Sequence, residues 1–173
     1  VDRLMGLLAP ANASPQMALD ARLRAWNQTD RALASPARVE AWLSHQAQRS
    51  PSSTAIVTHE GSLSHQALAS QSNRIGRMLQ SLGVGPGHRV GISLPRGRHL
   101  LPALLGVLKS GAAYVPMDPG FPAERLQMMA QDAALSRVIT HSSCAHASGL
   151  PEAMQLKLDR DAALLDALSD APL

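Results

Sequence analysis

From residue 50 onward, short runs with period-two alternation exchange with longer runs whose apolar positions repeat at helical spacing. "TAIVTH" (54–59) reads as a strand, "EG" (60–61) as a tight turn and "SLS" (62–64) as a short returning strand, together a small hairpin. Ser64 can cap the next helix, in which Leu68, Ile75, Leu79 and Leu82 share a face until Gly83 ends it. "HRVGISL" (88–94) is the next strand, and "GRHLLPALLGVLKSG" (97–111) is a helix apolar nearly all round, which must therefore be buried. Pro102 is tolerable there if it lies near the first turn, where backbone donors are unpaired anyway. "AYVPM" (113–117), "PAERLQMMAQDA" (122–133), "SRVITH" (136–141), "MQLKLD" (154–159) and "DAALLDALSD" (161–170) continue as strand, helix, strand, weaker strand and terminal helix.

Strands separated by helices imply crossovers between parallel neighbours. Residues 50–173 are thus expected to form a three-layer α/β unit, a mostly parallel sheet with helices on both faces. The first 35 residues read differently, as a linker with two short helices. "VDRLMGLL" is a short apolar segment, "APANASPQM" is loop chemistry, and "ALDARLRAWNQTD" sets Leu19, Leu23 and Trp26 on one helical face, expected to pack on a neighbour. Ser35 and Pro36 predict the cap and first position of a following helix whose stripe is Val39, Trp42, Leu43 and Ala47. Trp26 and Trp42 are expected to be packing anchors.

The stretch "LKSGAAYVPMDPGFPAERL" (108–126) is dense in turn chemistry. Lys109 falls in the last turn of the apolar helix, where the dipole favours a cation, and Gly111 supplies the left-handed stop. Ala112 and Ala113 let the chain turn closely. Tyr114 and Val115 enter the sheet, Pro116 marks a strand end or an edge, and Asp118-Pro119-Gly120 is a turn. Pro122 at the first helical position and Glu124 in the first turn start the next helix. Every residue has an architectural reading, and none is an obvious nucleophile, base or metal ligand.

Composition narrows the functional classes. The chain has 173 residues, 45% hydrophobic and 17% charged, which is globular rather than disordered. Only 2% are aromatic, and the net charge of +3 is scattered, so neither a base-stacking surface nor a phosphate-backbone stripe is expected. Cys144 is the single cysteine, which excludes an internal disulfide and suits a reducing, cytoplasmic compartment. The longest apolar run, 100–108, falls short of a membrane span, and Val1-Asp2 does not open a signal peptide. The absence of an initiator Met suggests a piece of something longer.

Other candidate sites weaken on inspection. "GVGPG" (83–87) follows a helix and precedes a strand, the reverse of a dinucleotide-binding context, and reads as a helix-ending turn. "HSSCAH" (141–146) groups His141, Cys144 and His146, but a structural zinc needs four ligands and no second cluster completes it. A nucleophilic Cys144 needs a base placed by the fold, which sequence proximity does not establish. His65, His88 and His99 stand at element starts and read as surface or capping residues.

"LKSGAAYVPMDP" resembles the second core motif of the adenylation domains of nonribosomal peptide synthetases, LKAGxAYVPID, with Ser110 for Ala and Met117 for Ile. "LSHQAL" (63–68) is similar to their first core motif, L-[TS]-Y-x-E-L, with His65 in place of the tyrosine and Ala67 in place of the glutamate. The segments between and after these motifs are similar in order and spacing, and "AWNQTD" (25–30) resembles the linker from a preceding condensation domain. The resemblance implies the N-terminal subdomain of the adenylate-forming fold, with residues 1–35 as condensation-to-adenylation linker and 36–173 as the first part of the adenylation domain. Such domains activate an amino acid with ATP and Mg2+ as the aminoacyl adenylate and pass it to phosphopantetheine on a carrier domain.

In that family the phosphate-binding loop, resembling TSGSTGxPKG, and the residues for substrate, magnesium and adenylate lie downstream of both motifs. Lys109 and Lys157 are the only lysines, and neither follows a glycine-rich turn. The resemblance therefore assigns no catalytic, cofactor-binding or metal residue here, and implies a segment inactive alone. Its implied partners are the rest of the domain, an upstream condensation domain, a downstream carrier domain and the amino-acid substrate, with neither nucleic acid nor membrane. A fragment of an acyl-CoA or aryl-acid ligase of the same superfamily, or a noncatalytic docking or scaffold piece, are the competing readings. Arginine outnumbers lysine fourteen to two, which points to a GC-rich bacterial source.

Overall fold

A four-stranded parallel sheet organises the larger part of the molecule. The computed structural model describes residues 15–32, 38–145 and 149–173, and the chain divides into two units, Val1–Ser35 and Pro36–Leu173.

In the first unit the described element is α1 (Pro15–Trp26). Its stripe is not buried: Leu19, Leu23 and Trp26 are all exposed, and Trp26 stands 62% accessible beneath the Arg22 guanidinium, 5.2 Å from the ring centroid. "VDRLMGLL" lies outside the described residues.

The second unit begins with α2 (Val39–Arg49). The residue before the helix is Arg38, in extended conformation and without a side-chain cap, so the helix starts later than Ser35 and Pro36 predicted; those two lie outside the described residues. Only half of its predicted stripe turns inward. Leu43 packs on the small core of Ile56, Leu63 and Leu68, while Val39 and Trp42 stay exposed, Trp42 at 49%, because this helix rests chiefly on the helix His65–Ser81 along a narrow face. Trp42 is no anchor here.

The hairpin of β1 (Thr54–Thr58) and β2 (Gly61–Ser64) is antiparallel, with Thr58 opposite Gly61 and His59-Glu60 forming the turn. Ser64 then caps α3 (His65–Ser81), its hydroxyl accepting from the Ala67 amide at 3.1 Å. Leu68, Ile75 and Leu79 are buried as the spacing predicts, but Leu82 is 40% exposed. The helix ends there. Gly83 turns left-handed at φ 77°, and the amides of Gly83 and Val84 return to the carbonyls of Gln80 and Leu79. That reversal swings Val84 into the core position Leu82 was expected to fill. Pro86-Gly87 makes the next turn, closed by the His88 amide on Gly85 O at 3.1 Å, so "GVGPG" is turn chemistry throughout.

β3 (Arg89–Ser93) is central, pairing in parallel with β4 (Ala113–Pro116) on one side and β5 (Arg137–Thr140) on the other. β6 (Gln155–Lys157) extends the sheet beyond β5. Pro116 falls at the last position of the edge strand β4, where a missing donor is tolerated. α4 (Leu100–Ser110) has Pro102 at its third position, and Gly111 stops it at φ 88°. Asp118 accepts the Gly120 amide at 2.9 Å in the following turn, and α5 is Ala123–Asp132, with Pro122 one place earlier than predicted, at the cap.

Residues alternate between two cores. Val90, Ile92, Ile139, Leu156 and Leu158 meet α3, α4 and the short α7 (Ala162–Asp166) on one face; Val138, Met117 and Leu135 meet Leu126 and Ala130 of α5 on the other. Helices thus cover both faces, as the sequence predicts. Two elements differ. α7 is half the expected length, and "SSCA" forms a helical turn, α6 (Ser142–Ala145), where a loop was expected.

Candidate functional site

The strand order places a natural crevice. β3 connects through α4 to one side and β5 leads toward β6 on the other, so the chain diverges outside the carboxyl ends of β3 and β5, the position ligands favour in open parallel sheets. The residues converging near that end come from four segments: Glu60 in the hairpin turn, Arg98 and His99 before α4, His141 to Cys144 after β5, and Asp159 after β6.

Their geometry is held by backbone donors. Glu60 accepts the Arg98 amide at 2.9 Å, and this bond holds its carboxyl below the usual range against a small opposing effect of burial. Burial alone would raise the Asp159 carboxyl. The Ser142 amide, donating at 2.9 Å, then the Ser142 hydroxyl and the amide of Asp159 itself, and last the nearby His141 ring, with Nε2 at 3.7 Å, outweigh that and bring it down to about 2. His141 Nδ1 faces the Ser143 hydroxyl at 2.9 Å. His99 is lowered by burial first and by the Arg98 charge second, so the neutral ring is favoured. A cleft of ≈170 Å³ beside it is lined by Arg74, Ile75, Leu158 and Leu165. At the end of β3, the hydroxyl of Ser93 is buried without a hydrogen-bond partner.

Chemically this is a frame of fixed charges that ties loop ends together. Among the described residues no histidine bonds Cys144: His141 Nδ1 faces the Ser143 hydroxyl and amide, and Cys144 Sγ meets Ser143 Oγ at 3.6 Å. His146 lies outside the described residues, and among those described no group of three His, Cys, Asp or Glu side chains could hold a metal ion. Of the remaining histidines, His88 turns its ring back on Gly85, whose amide donates to Nδ1 at 3.1 Å, as a capping residue does. His65 opens α3 half-buried, its Nδ1 without a partner. Sequence reasoning missed Glu60, Arg98 and Asp159. Each stands beside a turn or strand end with no motif around it, and only the fold brings them together.

Both lysines are occupied structurally. Lys157, buried on β6, donates to both oxygens of Glu152 at 2.8 and 2.7 Å, and Arg160 pairs with the same carboxylate, whose pKa is lowered chiefly by the Lys157 bonds. Lys109, at the end of α4, donates to Asn73 Oδ1 at 2.5 Å. Neither stands in a glycine-rich strand-to-helix loop.

Comparison with known proteins gives this frame a family. The AMP-binding enzyme family matches residues 43–172. The chain belongs to that family, whose members form adenylates. Relatives include a linear gramicidin synthase of Brevibacillus parabrevis, 38% identical over 136 residues covering 79% of this chain, and a surfactin synthase of Bacillus subtilis (strain 168), 40% identical over 110 residues covering 64%. The chain spans only 3% of the length of each. Among solved structures, the nonribosomal peptide synthetase FmoA3 in its AMPPNP-bound form superposes with a TM-score of 0.76 at 33% identity, over 87% of this chain and 16% of that one. VinN superposes at 0.70 with 25% identity, over 81% and 36%.

Proposed function

We propose that this chain is the first part of an amino-acid-adenylating domain of a nonribosomal peptide synthetase, with residues 1–35 as linker from a condensation domain and 36–173 as the portion that precedes the phosphate-binding loop. The observation that carries this reading is the collinear similarity to peptide synthetases across 136 residues, which includes the stretch "LKSGAAYVPMDP". In this reading the segment contributes architecture. Its sheet, α3 and α4 form the base of the domain, while the groups that bind ATP, Mg2+ and the amino acid come from residues beyond it. Its partners are the rest of the domain, the condensation domain, and a carrier domain whose phosphopantetheine thiol accepts the acyl group. No described helix is long and apolar enough to cross a membrane, in keeping with a cytoplasmic synthetase.

Adenylation brings a carboxylate to the α-phosphate among fixed donors and cations that stabilise charge on the phosphate oxygens. Both lysines are committed to structural bonds, which supports the reading that such a set comes from the rest of the domain. The test is amino-acid-dependent exchange of labelled pyrophosphate into ATP, by this chain alone and after co-expression with the downstream remainder of the domain. Activity only in the second sample is expected. Exchange by the isolated chain would overturn the reading, and exchange driven by a fatty or aryl acid instead of an amino acid would move the chain to the ligases.

A further inference from the structure

One face of α3 is given over to a segment almost a hundred residues away. Ser70, Asn73, Gly76 and Arg77 lie three or four residues apart, so they form one stripe. After α7 the chain runs along that stripe without secondary structure, and all four carbonyls from Ser169 to Pro172 are taken by side chains of α3. Arg77 Nε donates to Ser169 O at 3.0 Å, and Arg77 Nη2 to Ala171 O and Pro172 O at 3.0 and 3.2 Å. Asn73 Nδ2 donates to Asp170 O at 2.7 Å, and Ser70 Oγ to the Asp170 carboxylate at 2.7 Å. Leu173 closes the seat over Gly76, where a Cβ would stand 2.6 Å from Leu173 Cδ1.

The link to α4 is the side chain of Asn73. An amide can point either end at a carbonyl, and only its NH2 end bonds there. Lys109, which can only donate, claims the oxygen end and leaves the NH2 for Asp170. Asn73 is 3% exposed, so a wrongly turned amide would set two acceptors face to face in a buried place. We propose that Lys109 is a positioning residue: through Asn73 it locks Ser169–Leu173 onto α3 as a docked strap, and so fixes where any longer chain would leave this face. This assigns the lysine of the "LKSG" stretch a task that involves no phosphate.

The docking can be read directly in the 173-residue chain. A nitroxide is placed at Ala171→Cys in a Cys144→Ser background; the Ala171 side chain is exposed and only its backbone is used by the dock. A second label at Ser62→Cys, on the exposed hairpin, reports general loosening. The Ala171 label is expected to be immobilised in the parent. Lys109→Met and Arg77→Met should each shorten its correlation time about threefold or more, with the hairpin label unchanged.

The sharper variant is Asn73→Asp, which gives Lys109 an ion-pair partner but removes the donor to Asp170 O. It should keep the bond to Lys109 and leave the hairpin label unchanged, and still release the strap. A mobile Ala171 label in the parent, a strap unmoved by Lys109→Met or by Asn73→Asp, or a hairpin label loosened to the same degree would each overturn the proposal. Neither nucleotide nor amino acid enters the experiment, so its failure would leave the adenylation reading untouched.

Discussion

On one face of the sheet, α3 and α4 approach so closely that a methyl group on Gly106 would stand 2.5 Å from Ile75 Cγ2 and 3.2 Å from the Ser72 carbonyl. On the other, a methyl group on Gly91 would meet the sulfur of Met117 at 2.6 Å and the side-chain ends of Leu135 and Val138. The first obstacle is a β-branched side chain and backbone, which cannot yield without moving a helix; the second is mostly thioether and methyl, which can turn aside. The α3–α4 face is also the one that bears the strap. The stiffer side is where the molecule sets position, and the softer side, covered by α5 with Met117, Met129 and Met154 around it, fills space.

The largest effect that tests this contrast is truncation of a leucine on each face. Leu79 is 0% and Leu126 is 1% exposed. Leu79→Ala should cost about 3–5 kcal/mol because two closely packed helices cannot close the cavity, while Leu126→Ala should cost about 2–3 kcal/mol because neighbouring methionines can fill it. Equal losses in denaturant midpoint would erase the difference between the faces.

Addition should show the same asymmetry. Gly106→Ala is expected to lose about 1–3 kcal/mol by forcing α3 and α4 apart, and Gly91→Ala to lose less, below about 1 kcal/mol. Thermal melts of the two variants, run side by side, decide it.

The helix ends on the two faces differ as well. α4 stops at Gly111, with φ 88° and Pro86 Cδ 3.1 Å from where a Cβ would stand, so Gly111→Val should cost about 1–3 kcal/mol in strain before any clash. α5 also stops at a left-handed residue, with the amides of Ala134 and Leu135 returning to Gln131 and Ala130, but that residue is Ala134, at φ 47°. Ala134→Gly should therefore stabilise the protein, by up to about 1 kcal/mol. A lower melting temperature for Ala134→Gly would show that this end is not strained.

The smallest expected effect is a pH dependence at the start of α4. Burial lowers the pKa of His99 from its ordinary 6.5, so the unfolded chain binds the proton more readily than the folded one. The stability this gives is present above about pH 6.5 and is lost as pH falls through the folded value. His99→Gln should flatten the melting temperature across that window. An unchanged slope would assign the dependence to other groups.

The order of strands and helices was legible in the sequence because burial of one face writes a period of two or 3.6 into it. Glycines at 83, 87 and 111 marked turns for an equally local reason, the positive φ each adopts. Failures fell where partners are distant or burial is partial. Trp42 has the spacing of an anchor, but spacing cannot say whether another surface arrives to cover it. Leu82 lost its core place to Val84 through a three-residue cap.

"LKSGAAYVPMDP" could be read alone as the end of a helix and the start of a strand, and by its resemblance as part of a family. The task of its lysine could not. Lys109 meets Asn73, and Asn73 meets the carbonyl of Asp170, 97 residues further on. A polar side chain carries no periodic trace of its partner, so pairs at such separation, like Asp159 with the Ser142 amide and Glu60 with that of Arg98, exist only once the sheet has brought its loops together. Period and turn chemistry are properties of neighbouring residues and belong to the sequence; hydrogen bonds between loops depend on where the folded backbone places them, and only the tertiary structure decides that.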